Sequence, residues 1–195
     1  VVLSGRTAET VESAAAALGG VATAVVADNA DPETPARLIA AAHDRWGRLD
    51  GALLRVGGPP FGAALSADDD AWRGSFESVF LGAVRLCREL AQVLPEGGAL
   101  ALVLSSSVKS PVAGLAISNG LRPGLAMVAK TLADELGPRR IRVNGLLPGR
   151  IDTERVAALD AMGGDPVGAR AAASAAIPLG RYGDPAEFGR VAAFL

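Results

Sequence analysis

The chain has 195 residues, half of them hydrophobic, with 24 glycines and only 4% aromatics, which is enough for one sizeable core and suggests a single domain of closely packed helices and sheet. A formal net charge of -2 gives no basic footprint for nucleic acid, and the lone Cys87 excludes an intrachain disulfide scaffold. With no signal peptide and no apolar run long enough to span a bilayer, the expectation is a soluble cytoplasmic protein.

VVLSGR at 1–6 reads as a buried strand emerging at a polar edge. Thr7 is placed to cap the following helix, with Glu9 in its positively polarised first turn and Gly19-Gly20 at its end. VATAVVAD at 21–28 is the next strand, and Asp31-Pro32 supplies an N-cap and N1 pair for a helix with Leu38, Ile39, Ala42 and Trp46 on one face. LDGALLRV at 49–56 is a third strand, closed by GGPP. The longest helix is expected from Asp69 to Leu94, because Trp72, Phe76, Val79, Phe80, Ala83, Leu86, Cys87, Leu90, Val93 and Leu94 recur at three- and four-residue spacing. So wide a stripe suits a partner subunit as well as the helix's own sheet, and Cys87 within it reads as a buried structural thiol.

ALALVLSSS at 99–107 is a fourth strand, followed by a helix from near Ser118 to Leu136, and IRVNGLLPG at 141–149 is a fifth strand. An alanine-rich segment at 150–176 is expected to be mobile. The turn IPLGRYGDP then leads to a last helix from Pro185 or Ala186. Strands alternate with helices, and the strands are near-continuous apolar runs, as in sheets covered on both faces. The fold class is a doubly wound parallel α/β sheet of Rossmann-like type.

Chemistry concentrates in SSSVKSPVAGLAISNGLRPG at 105–124. Three serines leave a strand there, and Ser118 and Arg122 are spaced to share one face of a helix. Ser118 reads equally well as a plain N-cap. Lys109 reads best as a solvated loop residue. Arg55 beside GGPP suits either an anionic substrate or a salt bridge. His43 lies on a remote helix with no metal-ligand cluster, so no metal site is assigned.

Several blocks in this order resemble the short-chain dehydrogenase/reductases. VVLSGR is similar to that family's second strand, IRVNGLLPGRIDT to its RVNAVxPGxIxT block, and IPLGRYGDPAEFGRVAAFL to its IPLGRxGxPEEIAxxVxFL block. The resemblance implies that the family's first strand, with its TGxxxGIG phosphate loop, precedes Val1 and that a closing strand follows Leu195. The single domain at 1–195 would then be incomplete at both ends. With the order 3-2-1-4-5-6, loss of the first strand leaves two half-sheets with no shared neighbour.

The resemblance implies a cofactor set. Arg6 stands where the family meets the adenosine ribose, and a guanidinium there favours a 2′-phosphate, hence NADP(H) over NAD(H). Asp28 and Asn29 match the turn beside adenine, though an Asx turn explains them locally. RVGG at 55–58 replaces NNAG, with Val56 and Gly57 against the cofactor. Pro148, Gly149, Ile151 and Thr153 match the turn that receives the nicotinamide carboxamide. The segment 150–178 corresponds to the substrate lid.

The resemblance also implies that the usual Asn-Ser-Tyr-Lys tetrad is altered. The asparagine position falls on Val79, and YxxxK falls on Ser118 to Arg122, so SxxxR replaces it. Context selects Ser107 as the orienting serine, spacing selects Ser105, and Ser106 lies between. Ser118 is a poor acid beside a phenol of pKa about 10, whereas Arg122 stays charged and suits the nicotinamide ribose. Pro123 removes a hydrogen bond if the helix begins before Ser118. Tyr182, the only tyrosine, is expected at the surface or at a subunit contact.

The expectation is therefore an NADP(H)-dependent oxidoreductase acting on a small carbonyl or alcohol, with Ser107 or Ser106 polarising the oxygen and Ser118, Arg122 or water completing proton transfer. The alternative is a catalytically silent nucleotide-binding or regulatory protein. Family analogy and the wide helix stripe favour a homo-oligomer, a dimer or tetramer. Nucleic-acid and membrane partners are not expected.

Overall fold

Two short apolar runs, Val2–Gly5 (β1) and Thr23–Val26 (β2), pair in parallel, from Val2 against Thr23 to Gly5 against Val26. Three more, Gly51–Arg55 (β3), Ala99–Val103 (β4) and Arg142–Leu146 (β5), form a second parallel sheet in the order β3-β4-β5. These elements come from a computed structural model that describes all residues, 1–195. The connections are helices Ala8–Leu18 (α1), Thr34–Trp46 (α2), Asp69–Ser75 (α3), Gly82–Val93 (α4) and Ala116–Leu136 (α5). Glu154–Ala161 (α6), Pro166–Ala175 (α7) and Pro185–Phe194 (α8) follow β5. No helix is long and apolar enough to cross a membrane.

The strands divide into two half-sheets, the arrangement expected from the order of the blocks. Between the facing edges of β1 and β3 runs an apolar slot of about 620 Å³, lined by Val2, Leu3, Leu53, Leu54, Leu38 and Leu86 among others. On either side of it the edges of β1 and β3 have no strand partner and present unpaired backbone groups.

The core lies on the β3-β4-β5 side. Leu100 and Leu102 of β4 pack against Ala83, Leu86, Cys87 and Leu90 of α4 and Leu125 and Ala129 of α5. Each fully buried leucine contributes about 2 kcal/mol of transfer free energy. Ala83, Leu86, Cys87 and Leu90 of the stripe read along residues 69–94 face the helix's own sheet, whereas Phe76 and Val93 remain exposed, and burial pushes the Cys87 thiol up to about 12, keeping it protonated and inert. Two glycines of α5 receive the remaining large side chains. A Cβ at Gly120 would lie 2.9 Å from Trp72, and one at Gly124 3.1 Å from Phe80.

Several local expectations are corrected. The long helix is interrupted by a π-helical segment, Phe76–Leu81, and Val79 lies within it, buried. Periodicity alone cannot reveal one widened turn, which shifts the helix face by a fraction of a turn. α2 begins later than Asp31-Pro32, at Thr34, because the Asp31 carboxylate accepts from Glu33 N and closes an Asx turn instead. Thr7 occupies the N-cap position of α1, but its side chain makes no cap hydrogen bond. The segment expected to be mobile folds into α6 and α7, the second capped by Asp165 with Pro166 in its first turn.

Candidate active site

The polar residues gather at the carboxyl ends of β3, β4 and β5, outside the sheet, where open α/β sheets bind ligands. β4 gives way to Ser105, whose side chain accepts from Ser107 N at 3.1 Å and caps a one-turn 3₁₀ helix, Ser106–Val108. Ser105 is thus occupied in holding the turn. Ser106 N donates to Pro148 O at 3.1 Å, which fixes the serine turn beside the Pro148-Gly149 turn. Ser107 is buried, and its Oγ has no hydrogen-bond partner. A buried hydroxyl left unpaired costs about 1–3 kcal/mol, so this atom is placed for something other than stability.

α5 starts at Ala116, with Leu115 as its N-cap. Ser118 is therefore inside the helix and buried, which corrects the N-cap reading. Pro123 lies within the same helix and deprives the Asn119 carbonyl of its usual donor. The Asn119 side chain ties the helix start to the preceding loop, accepting from Val112 N at 3.1 Å and donating to Val112 O at 2.9 Å.

Arg122, four residues after Ser118, is buried at 6% exposure. Its Nη1 donates to Val103 O and Leu104 O, the second at 3.1 Å, and its Nη2 to Gly57 O at 3.3 Å, while Nε has no partner. One guanidinium therefore ties the end of β4 to the loop after β3. Burial first, then Arg55 and Arg155, pull its pKa down to about 10, so it remains a cation near neutrality.

The turn after β5 is braced from behind. Asp152 N donates to Gly183 O at 2.8 Å and Gly183 N to Arg150 O at 2.9 Å, so the segment containing Ile151 and Thr153 is fastened to the GRYGDP turn. Beneath them, Tyr182 donates its hydroxyl to both Asp160 oxygens, at 3.1 and 2.9 Å, and Arg150 pairs with the same carboxylate. Arg170 lies over the Tyr182 ring, 4.5 Å from its centroid, and forms a bidentate pair with Asp152. Tyr182 is only 5% exposed. The surface or subunit-contact role expected for it is corrected, because its hydroxyl satisfies a buried carboxylate. Burial and the bond to Asp160 push its phenol above the ordinary range. Asp160 was missed at the sequence level, since nothing in the α6 pattern distinguishes it from a solvated aspartate.

Tyr182→Phe is expected to cost about 1–3 kcal/mol by stranding part of the Asp160 carboxylate. Urea denaturation would measure it. An unchanged midpoint would contradict the role assigned to this network.

On the adenosine side, Arg6 is exposed at the end of β1 and forms no ion pair. The Asp28 side chain accepts from Ala30 N at 3.0 Å, the local Asx turn, with Asn29 half-buried next to it. Val56 is buried behind the loop, and a Cβ added at Gly57 would meet nothing within 4 Å. The close approach occurs instead at Gly58, where a Cβ would lie 2.7 Å from the Arg155 guanidinium. Thr153 is the N-cap residue of α6, yet its hydroxyl makes no cap bond. His43 is distant from all of these, and no group of His, Cys, Asp or Glu side chains could hold a metal.

The sequence model of the family described as Enoyl-(Acyl carrier protein) reductase matches residues 1–195. The chain belongs to the short-chain dehydrogenase/reductase family. An uncharacterized oxidoreductase of Methylorubrum extorquens is 32% identical over 188 residues, 96% of this chain and 75% of that protein. The L-rhamnose 1-dehydrogenase (NAD(P)(+)) of Azotobacter vinelandii is 30% identical over 183 residues, 92% of this chain and 70% of that one. Among solved structures, L-sorbose reductase from Gluconobacter frateurii, complexed with NADPH and L-sorbose, superposes with a TM-score of 0.90 at 27% identity, covering 100% of this chain and 78% of that one. The family's parallel α/β architecture is the one observed here.

Residues of this short-chain dehydrogenase/reductase fit the nicotinamide half of a dinucleotide. The backbone at Gly57 is open, the Thr153 hydroxyl makes only a long hydrogen bond to Ile151 O at 3.4 Å, and Ser107 Oγ and Arg122 Nε are orphaned at the same end of the sheet.

Proposed function

We propose that this protein is an NADP(H)-dependent oxidoreductase that interconverts a small carbonyl and its alcohol with a non-standard catalytic set. The observation that supports this most strongly is the buried, unpartnered Ser107 hydroxyl held beside the Pro148-Gly149 turn. Arg6, Asp28 and Asn29 would hold the adenosine end, Val56 and Gly57 the middle, and Pro148, Gly149, Ile151 and Thr153 the nicotinamide end. The cofactor supplies or accepts the hydride when bound.

Ser107 Oγ donates to the carbonyl oxygen, polarising it as negative charge develops there. Ser106 contributes through its backbone, which fixes the turn's position against Pro148. Ser118 replaces the family's tyrosine. A hydroxyl of such weak acidity passes a proton on only as a link between the alkoxide and water. Arg122 holds a fixed positive charge that favours the alkoxide electrostatically, and with a pKa near 10 it releases no proton near neutrality. Val79, buried and apolar, offers no water relay at the family's asparagine position.

Arg6 carries the coenzyme preference. Arg6→Ala is expected to weaken NADPH binding about tenfold or more by removing a charge-assisted bond to the 2′-phosphate, with NADH binding little changed. Fluorescence titration of both nucleotides checks this. Equal losses for the two, or no NADPH preference in the parent protein, would contradict the assignment.

A further inference from the structure

Most of the protein's exposed guanidiniums have a carboxylate within reach. Arg150 pairs with Asp160, Arg170 with Asp152 and Arg181 with Glu187. Three arginines around the loop after β3 have no carboxylate partner. Arg122 is buried and bonds only to backbone carbonyls, with its Nε unsatisfied. Arg155, at the start of α6, donates to Pro59 O at 2.6 Å and lies over the Phe61 ring, 3.9 Å from its centroid. Arg55, at the end of β3, is exposed and makes neither a hydrogen bond nor an ion pair.

These three come from distant parts of the chain and converge on one short loop. Arg122 reaches the carbonyl of Gly57 and Arg155 that of Pro59, from opposite ends of a tripeptide, and the space a Gly58 side chain would take is occupied by the Arg155 guanidinium. Arg55 lies two residues before the same loop. Burial first, and then the neighbouring positive charges, lower the pKa of two of them, and no acid offsets the effect: Arg122 feels Arg55 and Arg155, and Arg155 feels Arg55. Concentrating like charges in a partly buried place with no counterion is unfavourable. A ligand that brings a negative charge removes the penalty, and a planar guanidinium matches a carboxylate or phosphate geometrically.

We propose that Arg55, Arg122 and Arg155 form a receptor for an anionic group, a carboxylate or phosphate, on the substrate. This rests on the proposed function only in identifying the anion's carrier as the substrate, whose carbonyl sits at Ser107. The preferred substrates are therefore small oxo acids, hydroxy acids or phosphorylated carbonyls rather than neutral sugars. Arg122, buried deepest, provides the floor of the receptor. Arg155, stacked on Phe61 and carried by α6, closes it from the lid side.

The test uses the complete protein and a matched pair of small probes, oxamate as the anion and oxamide as its neutral counterpart, with calorimetry as the readout. Oxamate is expected to bind at least about tenfold more tightly than oxamide, the margin of a charge-assisted guanidinium pair. Arg155→Gln and, because Arg55 bonds to nothing in the protein, the structurally harmless Arg55→Gln should each reduce that margin several-fold while leaving NADPH affinity unchanged. Equal binding of the two probes overturns the proposal. So does a loss of NADPH affinity in both variants as large as the loss for oxamate, since the arginines would then serve the cofactor phosphates. Failure of the parent protein to bind NADPH, with the oxamate preference intact, would refute the oxidoreductase reading while leaving the anion receptor supported.

Discussion

Gly82→Ala is expected to destabilise the protein by about 3 kcal/mol, at the upper end for overpacking. The added Cβ would lie 2.2 Å from the Asn29 carbonyl oxygen and 2.8 Å from its carbonyl carbon, with Glu77 O at 3.0 Å on its other side. All three atoms belong to backbone, so no side chain can rotate away. Gly82 begins α4 just after the π-helical segment, and Asn29 lies in the turn assigned to adenine. The substitution should therefore weaken nucleotide binding together with stability. Thermal and urea denaturation would measure the first effect and NADPH titration the second. Gly189→Ala, on α8 and outside the nucleotide site, is the control, because its Cβ meets nothing in the protein.

Ser107→Ala has the second large effect, and it separates catalysis from stability. If Ser107 Oγ donates to the carbonyl oxygen, its loss should lower kcat about 100- to 1000-fold. Removing a buried hydroxyl that has no partner should at the same time leave the folded state equally stable or more so. Ser105→Ala should show the reverse pattern. It loses the cap on the Ser106–Val108 turn, at a cost of about 1 kcal/mol, with a much smaller fall in kcat. A Ser107→Ala protein that is both destabilised and fully active would refute the division of roles between the serines.

The parts of the fold that were legible in the sequence are those governed by composition over several residues. ALALV is a continuous apolar run with its three middle residues buried, and GALLR is an apolar run ending in Arg55, so both read as strands of a covered sheet. The two half-sheets followed from the order of the family's blocks, because the position between β1 and β3 has no candidate strand among these residues. What was not legible depends on single contacts. Ser105, Ser106 and Ser107 are chemically identical, and only the hydrogen bond from Ser107 N to Ser105 Oγ shows which hydroxyl is committed. The π-helical segment containing Val79 leaves the three- and four-residue spacing intact on both sides of it.

Long-range polar pairing was equally hidden. Tyr182 and Asp160 are joined across twenty-two residues, and neither local pattern announces the other. Arg155 has no motif of its own, and its importance emerges only where its guanidinium meets the Gly57–Pro59 loop and the charges of Arg55 and Arg122. The alanine-rich composition of the segment after β5 suggested mobility, whereas Asp165 and Pro166 set the start of α7 there. Alanine is the best helix former, and capping residues decided the outcome.

The proposed reaction moves a hydride between a nicotinamide and a carbonyl with a serine–arginine set in place of the family's tyrosine and lysine. Incubating the complete protein with NADPH deuterated at the transferring C4 position and a panel of small oxo acids tests it most directly, with mass spectrometry of the products as the readout. One deuterium is expected in the alcohol formed, and its loss in Ser107→Ala. NADPH bound at saturation with no deuterium in any product would contradict it.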